Sequence, residues 1–118
     1  MAWHFSSDRP VYLQISERLT KHVLSGEYKP GEQMPTVRQL ALESAVNPNT
    51  VQKAFTHLES KGILVSKGTS GRFVTEDAKV IETSRKELAI QIITKFFKDM
   101  ESLSYSDNEI SDLLKEVE

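Results

Sequence analysis

Between Met34 and Gly62 the chain reads MPTVRQLALESAVNPNTVQKAFTHLESKG, and no other stretch restricts the fold as much. It carries two helix-start signals in close succession. Thr36 with Gln39 three residues on is the S/T-x-x-Q form of a capping box, predicting a helix of about two turns that contains Arg38, Leu40, Ala41 and Leu42. Ser44-Ala45-Val46 forms a turn. Asn47 then caps a second helix, with Pro48 at its first position, where the missing N–H costs nothing. Val51, Ala54, Phe55 and Leu58 share one face of a 3.6-residue period, Asn49, Gln52, Lys53 and Thr56 the other, and Gly62 tolerates the left-handed geometry that ends a helix. A short helix, a tight turn and a second helix with hydrogen-bonding side chains at its exposed N-terminal end describe a helix-turn-helix DNA reader. An ordinary helical hairpin inside an all-α domain has the same pattern, so the flanking residues decide.

After Gly62 the period changes from helical to extended. Ile63-Leu64-Val65 and Arg72-Phe73-Val74 flank the loop Ser66-Lys67-Gly68-Thr69-Ser70-Gly71, the composition of a β-hairpin. Directly behind a recognition helix, such a hairpin is a wing. Lys67 and Arg72 supply charge there, and Gly68 and Gly71 permit close approach of backbone to a phosphate. Before Met34, a helix begins at Asp8 or a neighbour, with Pro10 in its opening turn. Its stripe is Tyr12, Ile15, Leu19, Val23 and Leu24, and Gly26 stops it. Trp3 and Phe5 read as core anchors, Tyr28-Lys29-Pro30-Gly31 as a turn, and Glu32-Gln33-Met34 as a short extended link.

Charge separates the chain into two parts. The net charge of −2 over 118 residues argues against nucleic acid, yet residues 1–75 hold nine Lys/Arg against six Asp/Glu and residues 76–118 hold six against eleven. The basic part contains the helix-turn-helix, and no acidic residue lies between Asn47 and Thr56. Two domains are expected: a winged helix-turn-helix over 1–75, and over 76–118 a charged linker (76–82) with a helical tail. Ser84-Arg85-Lys86-Glu87 has the capping-box form and predicts the longest helix, about 84–102; Ser106-Asp107-Asn108-Glu109 predicts a last one. Leu88, Ala89, Ile92, Ile93, Phe96, Phe97, Met100 and Leu103 make a stripe too broad for one short partner helix carrying Ile110, Leu113, Leu114 and Val117. A second copy of the chain is the economical cover, which makes Leu88, Ile92, Ile93, Phe96, Phe97, Met100, Ile110, Leu113 and Leu114 the candidate dimerisation residues. Packing back onto the winged helix is the alternative.

Composition narrows the remaining classes. With 38% hydrophobic and 27% charged residues the chain has the makeup of a globular protein. There is no cysteine, so no disulfide, thiolate or Cys-zinc chemistry, and His4, His22 and His57 lack metal-ligand spacing. No apolar run approaches 18 residues and no signal pattern opens the chain, so the expected compartment is the cytoplasm. No cofactor is expected. An enzyme has little support: there is no Gly-rich phosphate loop before a helix and no sign of a paired carboxylate site.

The segments PVYLQI, LSGEYKPGEQMPTVRQLA, VNPNTVQKAFTHLESKGIL and KGTSGRFV together resemble the DNA-binding domain of the GntR family of bacterial transcription regulators. PTVRQLA with VNPNTVQKA, and a tail too short for an effector-binding or aminotransferase-like domain, resemble the YtrA-like subfamily. The resemblance implies a homodimeric regulator, a repressor by family expectation, bound to inverted-repeat operator DNA. It implies DNA contacts from Arg38, from Asn47, Asn49, Thr50 and Gln52, and from the wing near Gly71. Lys53, Lys67 and Arg72 join them on charge. Family members often carry Arg where this chain has Pro48 and Gln52, so their arginine-to-guanine contacts do not transfer; Asn or Gln can instead pair with adenine, and Lys53 can reach a guanine or a phosphate. A protein-interaction module built on the same fold is the rival reading. A small-molecule effector stays open, and no stretch resembles a dedicated pocket.

Overall fold

A computed structural model describes residues 3–118. Its elements are α1 (Val11–Leu24), α2 (Val37–Ser44), α3 (Pro48–Ser60), β1 (Leu64–Ser66), β2 (Arg72–Val74), α4 (Ala78–Ser102) and α5 (Asp107–Glu116), with a single 3-10 turn, Gly68–Ser70, between the strands. The chain divides after Ser84 into two compact units.

In the first unit, α1 and α2 both pack on α3. Ile15, Leu19 and Val23 of α1 and Leu40 and Ala41 of α2 meet Val51, Ala54, Phe55 and Leu58 of α3, and Ile63, Leu64, Val74 and Met34 close the core. Small residues let α1 and α3 approach: the Ser16 hydroxyl donates to the Tyr12 carbonyl at 2.8 Å and also faces the Ala54 carbonyl at 3.4 Å. Helix α1 starts later than Asp8, at Val11, with Pro10 as its cap residue. The proline ring fixes a helix-compatible φ only at the edge of the helix, and the polar residues before it bind sideways to Gln14.

The capping box on α2 is complete: the Gln39 amide donates to Thr36 Oγ1 at 3.1 Å and the Thr36 amide to Gln39 Oε1 at 2.8 Å. Ala45 takes a left-handed conformation (φ 56°) and turns the chain into α3, where Asn47 Oδ1 accepts the Asn49 amide at 2.8 Å and Pro48 opens the helix. Gly62, at φ 77°, ends α3, and the chain turns at once into the hairpin. Leu64, Val65 and Ser66 pair antiparallel with Val74, Phe73 and Arg72.

Two expectations are corrected. Glu32-Gln33-Met34 is more than a link. The Met34 amide donates to the Arg72 carbonyl at 2.8 Å, the Val74 amide to Glu32 at 2.9 Å and the Gly31 amide to Val74 at 2.9 Å, so this segment lines β2 as a third, bridge-like edge. Residues 76–82 are not all linker either, and Ser84 caps nothing. Helix α4 begins at Ala78, behind Asp77, whose Oδ1 accepts the Lys79 amide at 2.9 Å; Ser84 is buried inside the helix. Val80 and Ile81 pack against the core of the first unit, with Val80 methyls beside Gly62. Burial of that apolar pair draws the helix start back through a segment that looks like a linker by its charges alone.

The second unit holds the rest of α4 and α5. Ser104 at φ 67° breaks α4, and Ser106 and Glu109 form the second complete capping box. Ile110 is 1% exposed within the single chain, which removes it from any surface open to a second copy. Leu88, Phe96, Met100 and Leu113 are half-buried, while Ile92, Ile93, Phe97 and Leu114 stay exposed, as do Ile90, Leu103 and Val117. The apolar face on this unit therefore remains largely open in the monomer. No helix in the described residues is long and apolar enough to cross a membrane.

Candidate nucleic-acid interface

Three pieces of the first unit carry the residues that the sequence assigns to DNA: the start of α2, the start of α3 and the wing. Arg38 follows the capping box directly and is exposed in the first turn of α2. Asn47 and Asn49 are exposed at the entry to α3. Because Asn47 spends its oxygen on the Asn49 amide, its NH2 group is the part left to donate outward. The helix dipole gives that end of α3 a partial positive charge, and the Asn49, Thr50 and Val51 amides of its first turn all bond to Asn47. Thr50, in the same first turn, is half-buried.

Gln52 is exposed one turn further on, its amide 3.4 Å from Thr56 Oγ1, a contact long enough to yield to a base edge. Lys53 behaves differently. Its ammonium lies 4.3 Å from the centroid of the Tyr12 ring, and that ring packs edge-on against His57 at 5.9 Å. Tyr12, expected as part of the α1 stripe, thus holds Lys53 to the flank of α3. Nothing in a helical-period count distinguishes a tyrosine that packs inward from one that receives a lysine, and Tyr12 was legible only as apolar.

The wing loop is closed by the Lys67 amide donating to the Gly71 carbonyl at 2.9 Å and the Ser70 amide to Lys67 at 3.1 Å. Gly71 has φ 101° and ψ −159°, a conformation that side chains rarely adopt, and a Cβ there would stand 3.2 Å from Gln33 Nε2. That same Nε2 donates to the Ser70 carbonyl at 2.7 Å. Gln33 is a further residue that sequence reasoning passed over; its signal is the alternation with Met34, whose side chain is buried. Lys67 is exposed with its ammonium 4.8 Å from the Phe73 ring.

Arg72 is engaged within the unit and only partly exposed. Its Nε donates to Glu59 Oε1 at 2.5 Å, its guanidinium lies 5.1 Å from the Phe55 ring, and its side chain is only 23% exposed. A charge count names it for the interface; the fold also pairs it with Glu59, 13 residues away on α3.

Among the described residues no group of three or more His, Cys, Asp or Glu is placed to hold a metal ion. Elsewhere on the unit, a cleft of about 250 Å³ along α1 is lined by His4, Phe5, Arg9, Gln14, Glu17, Arg18 and Lys21. Arg9 grips both Glu17 oxygens, at 2.6 and 2.9 Å, and these bonds hold the Glu17 carboxyl below its ordinary range.

The family model described as bacterial regulatory proteins, gntR family, matches residues 11–74. The HTH-type transcriptional regulator YhcF of Bacillus subtilis, itself uncharacterized, is 31% identical over 94% of this chain and 92% of its own length. The HTH-type transcriptional repressor YtrA of the same organism is 41% identical over 62% of this chain, a match that takes in 56% of YtrA. Among solved structures, a GntR family transcriptional regulator from Listeria monocytogenes superposes with a TM-score of 0.84 at 32% identity, over 97% of this chain and all of that one. The DNA-binding domain of AraR in complex with operator ORX1 superposes with a TM-score of 0.59 at 26% identity, covering 64% of this chain and 95% of that domain. The order of helices, the hairpin behind the recognition helix and these matches agree. The chain is a winged helix-turn-helix transcriptional regulator and belongs to the GntR family of bacterial regulatory proteins.

Proposed function

We propose that the chain is a homodimeric repressor of the YtrA-like kind that reads an inverted-repeat operator. The observation that carries this reading is the pair of helix starts at Arg38 and at Asn47: exposed donors at both, no acidic residue between Asn47 and Thr56, and a wing carrying Lys67 on the same unit. Helix α3 enters the major groove, with Asn47, Asn49 and Gln52 at base edges, Gln52 and Asn49 being suited to adenine N6/N7 and Asn47 offering its NH2 group alone. Arg38 meets a base edge or the adjoining phosphate, and Thr50 stands with Asn49 in the first turn of α3. Lys53, drawn to the flank by Tyr12, serves a backbone phosphate, and Lys67 with the Gly71 backbone carries the wing to the neighbouring minor groove.

Leu88, Ile92, Ile93, Phe96, Phe97, Met100, Leu113 and Leu114 form the contact between two copies. Residues 1–75 then act as the reading domain and 76–118 as the joining one, with the first two turns of α4 lent to the reading domain. Two-fold symmetry of the protein requires two-fold symmetry of the site. The repressor direction is supported by the similarity to YtrA. Hydroxyl-radical footprinting on DNA upstream of the protein's own gene tests the reading. Two protected half-sites related by a dyad are expected, and a single unsymmetrical footprint contradicts it.

A further inference from the structure

A wing can contribute to recognition only if its angle to the recognition helix is fixed, because an angular error moves its tip by ångströms. Two side-chain ties hold it here. In the first, Arg72, at the start of β2, is held by two residues one turn apart on α3: Glu59 through a 2.5 Å hydrogen bond and Phe55 through its ring face. Phe55 is 1% exposed and part of the core, so Arg72 rests on the least movable surface of the helix. In the second, Gln33, in the segment leading to α2, donates to the Ser70 carbonyl at the wing tip, and the Met34 amide donates to Arg72 itself.

We propose that Arg72 and Glu59 are a positioning pair that sets the wing against the recognition helix, and that Arg72 acts through Lys67 and Gly71 rather than by touching DNA. This rests on the DNA-reading function proposed above. The arginine is bidirectionally constrained, by an ion pair on its edge and an aromatic ring on its face, a geometry that a flexible lysine would not reproduce. Glu59 takes its Nε–H and offsets its charge, which weakens its attraction for a phosphate. Lys67 and Gly71, four residues apart across the closed turn, are what the pair delivers.

Glu59→Gln separates this from a direct phosphate contact by sign. It keeps the shape of the side chain and an acceptor oxygen, but it removes the negative charge and so loosens the hold on the Arg72 guanidinium. If Arg72 binds phosphate, the variant binds operator as well as or better than the original. If the pair positions the wing, binding weakens by about tenfold. Arg72→Gln gives a second comparison in a Lys67→Ala background: a positioning role leaves a smaller loss than in the parent, since only the Gly71 backbone contact remains to be misplaced, whereas an independent contact gives additive losses. A readout without DNA accompanies both. Amide hydrogen exchange of Lys67 and Ser70 should quicken by about tenfold in Glu59→Gln while the α3 amides keep their rates. Unchanged exchange at the wing, or operator binding equal to or tighter than the original, overturns the positioning pair. Absence of any sequence preference in the unsubstituted protein would count against the proposed function, and the exchange comparison would still decide whether Glu59 holds the wing.

Discussion

Ile93 offers the most direct perturbation of the proposed dimer. In the single chain it is 54% exposed, beside Ile92 at 62% and Phe97 at 37%. Full burial of an isoleucine side chain contributes about 1.5–3 kcal/mol, so covering the exposed half contributes about 1 kcal/mol. A two-fold interface counts each residue twice, giving about 2 kcal/mol for the pair. Ile93→Ala should therefore raise the dimer dissociation constant by about 30-fold. Ile93→Glu should go further, because it buries or confronts two like charges across the symmetry axis, at a cost of several kcal/mol. Sedimentation velocity over a concentration series reads both. The winged helix-turn-helix unit is remote in sequence, so circular dichroism should show folded protein in each variant. If Ile93→Glu and Phe97→Glu both sediment as the parent does at every concentration, the exposed face of α4 is not where two copies meet.

Arg38→Ala and Gln52→Ala should each weaken operator binding by about 1–3 kcal/mol if they reach bases, measured by fluorescence anisotropy; unchanged affinity in both removes them from the interface. Thr36→Ala deletes one arm of the α2 capping box and should lower unfolding stability by about 1 kcal/mol in urea titrations, with Thr36→Ser close to the parent; equal loss in both would show that the cap is not the cause. For Glu17, the bonds from Arg9 lower its folded-state pKa below the ordinary 4.5. Its contribution is therefore present above that value and is lost as pH falls through the folded pKa. Arg9→Ala should move the Glu17 titration upward in carboxyl-detected NMR and flatten the acid limb of the stability profile, by a small amount because both side chains are partly exposed. A Glu17 titration that stays in place would show that another group sets it.

Much of this was legible locally. Thr36 with Gln39, Asn47 with Pro48, and Ser106 with Glu109 lie within three residues of each other, and the structure forms each cap. The buried face of α3 followed from its 3.6-residue period, residue for residue. What escaped depends on partners distant in sequence. The edge formed by residues 31–34 exists because β2, some forty residues later, has unpaired groups to receive it. Helix α4 starts early because Val80 and Ile81 find the core. Ser84 has the letters of a cap and none of the position, since the helix is already running when it arrives. Arg72 shows the limit most plainly: its charge was visible in the chain, while Glu59, which engages that charge, became visible only in the fold.

A titration of DNA from upstream of the protein's own gene, at two salt concentrations and beside a mass for the complex, bears most directly on what the chain does. Two chains bound per site, a preference over random duplex, and an affinity that falls steeply with salt are expected, since several phosphates are neutralised at once. A single chain on the DNA, or equal affinity for random duplex at both salt concentrations, would contradict a dimeric reader of a specific operator.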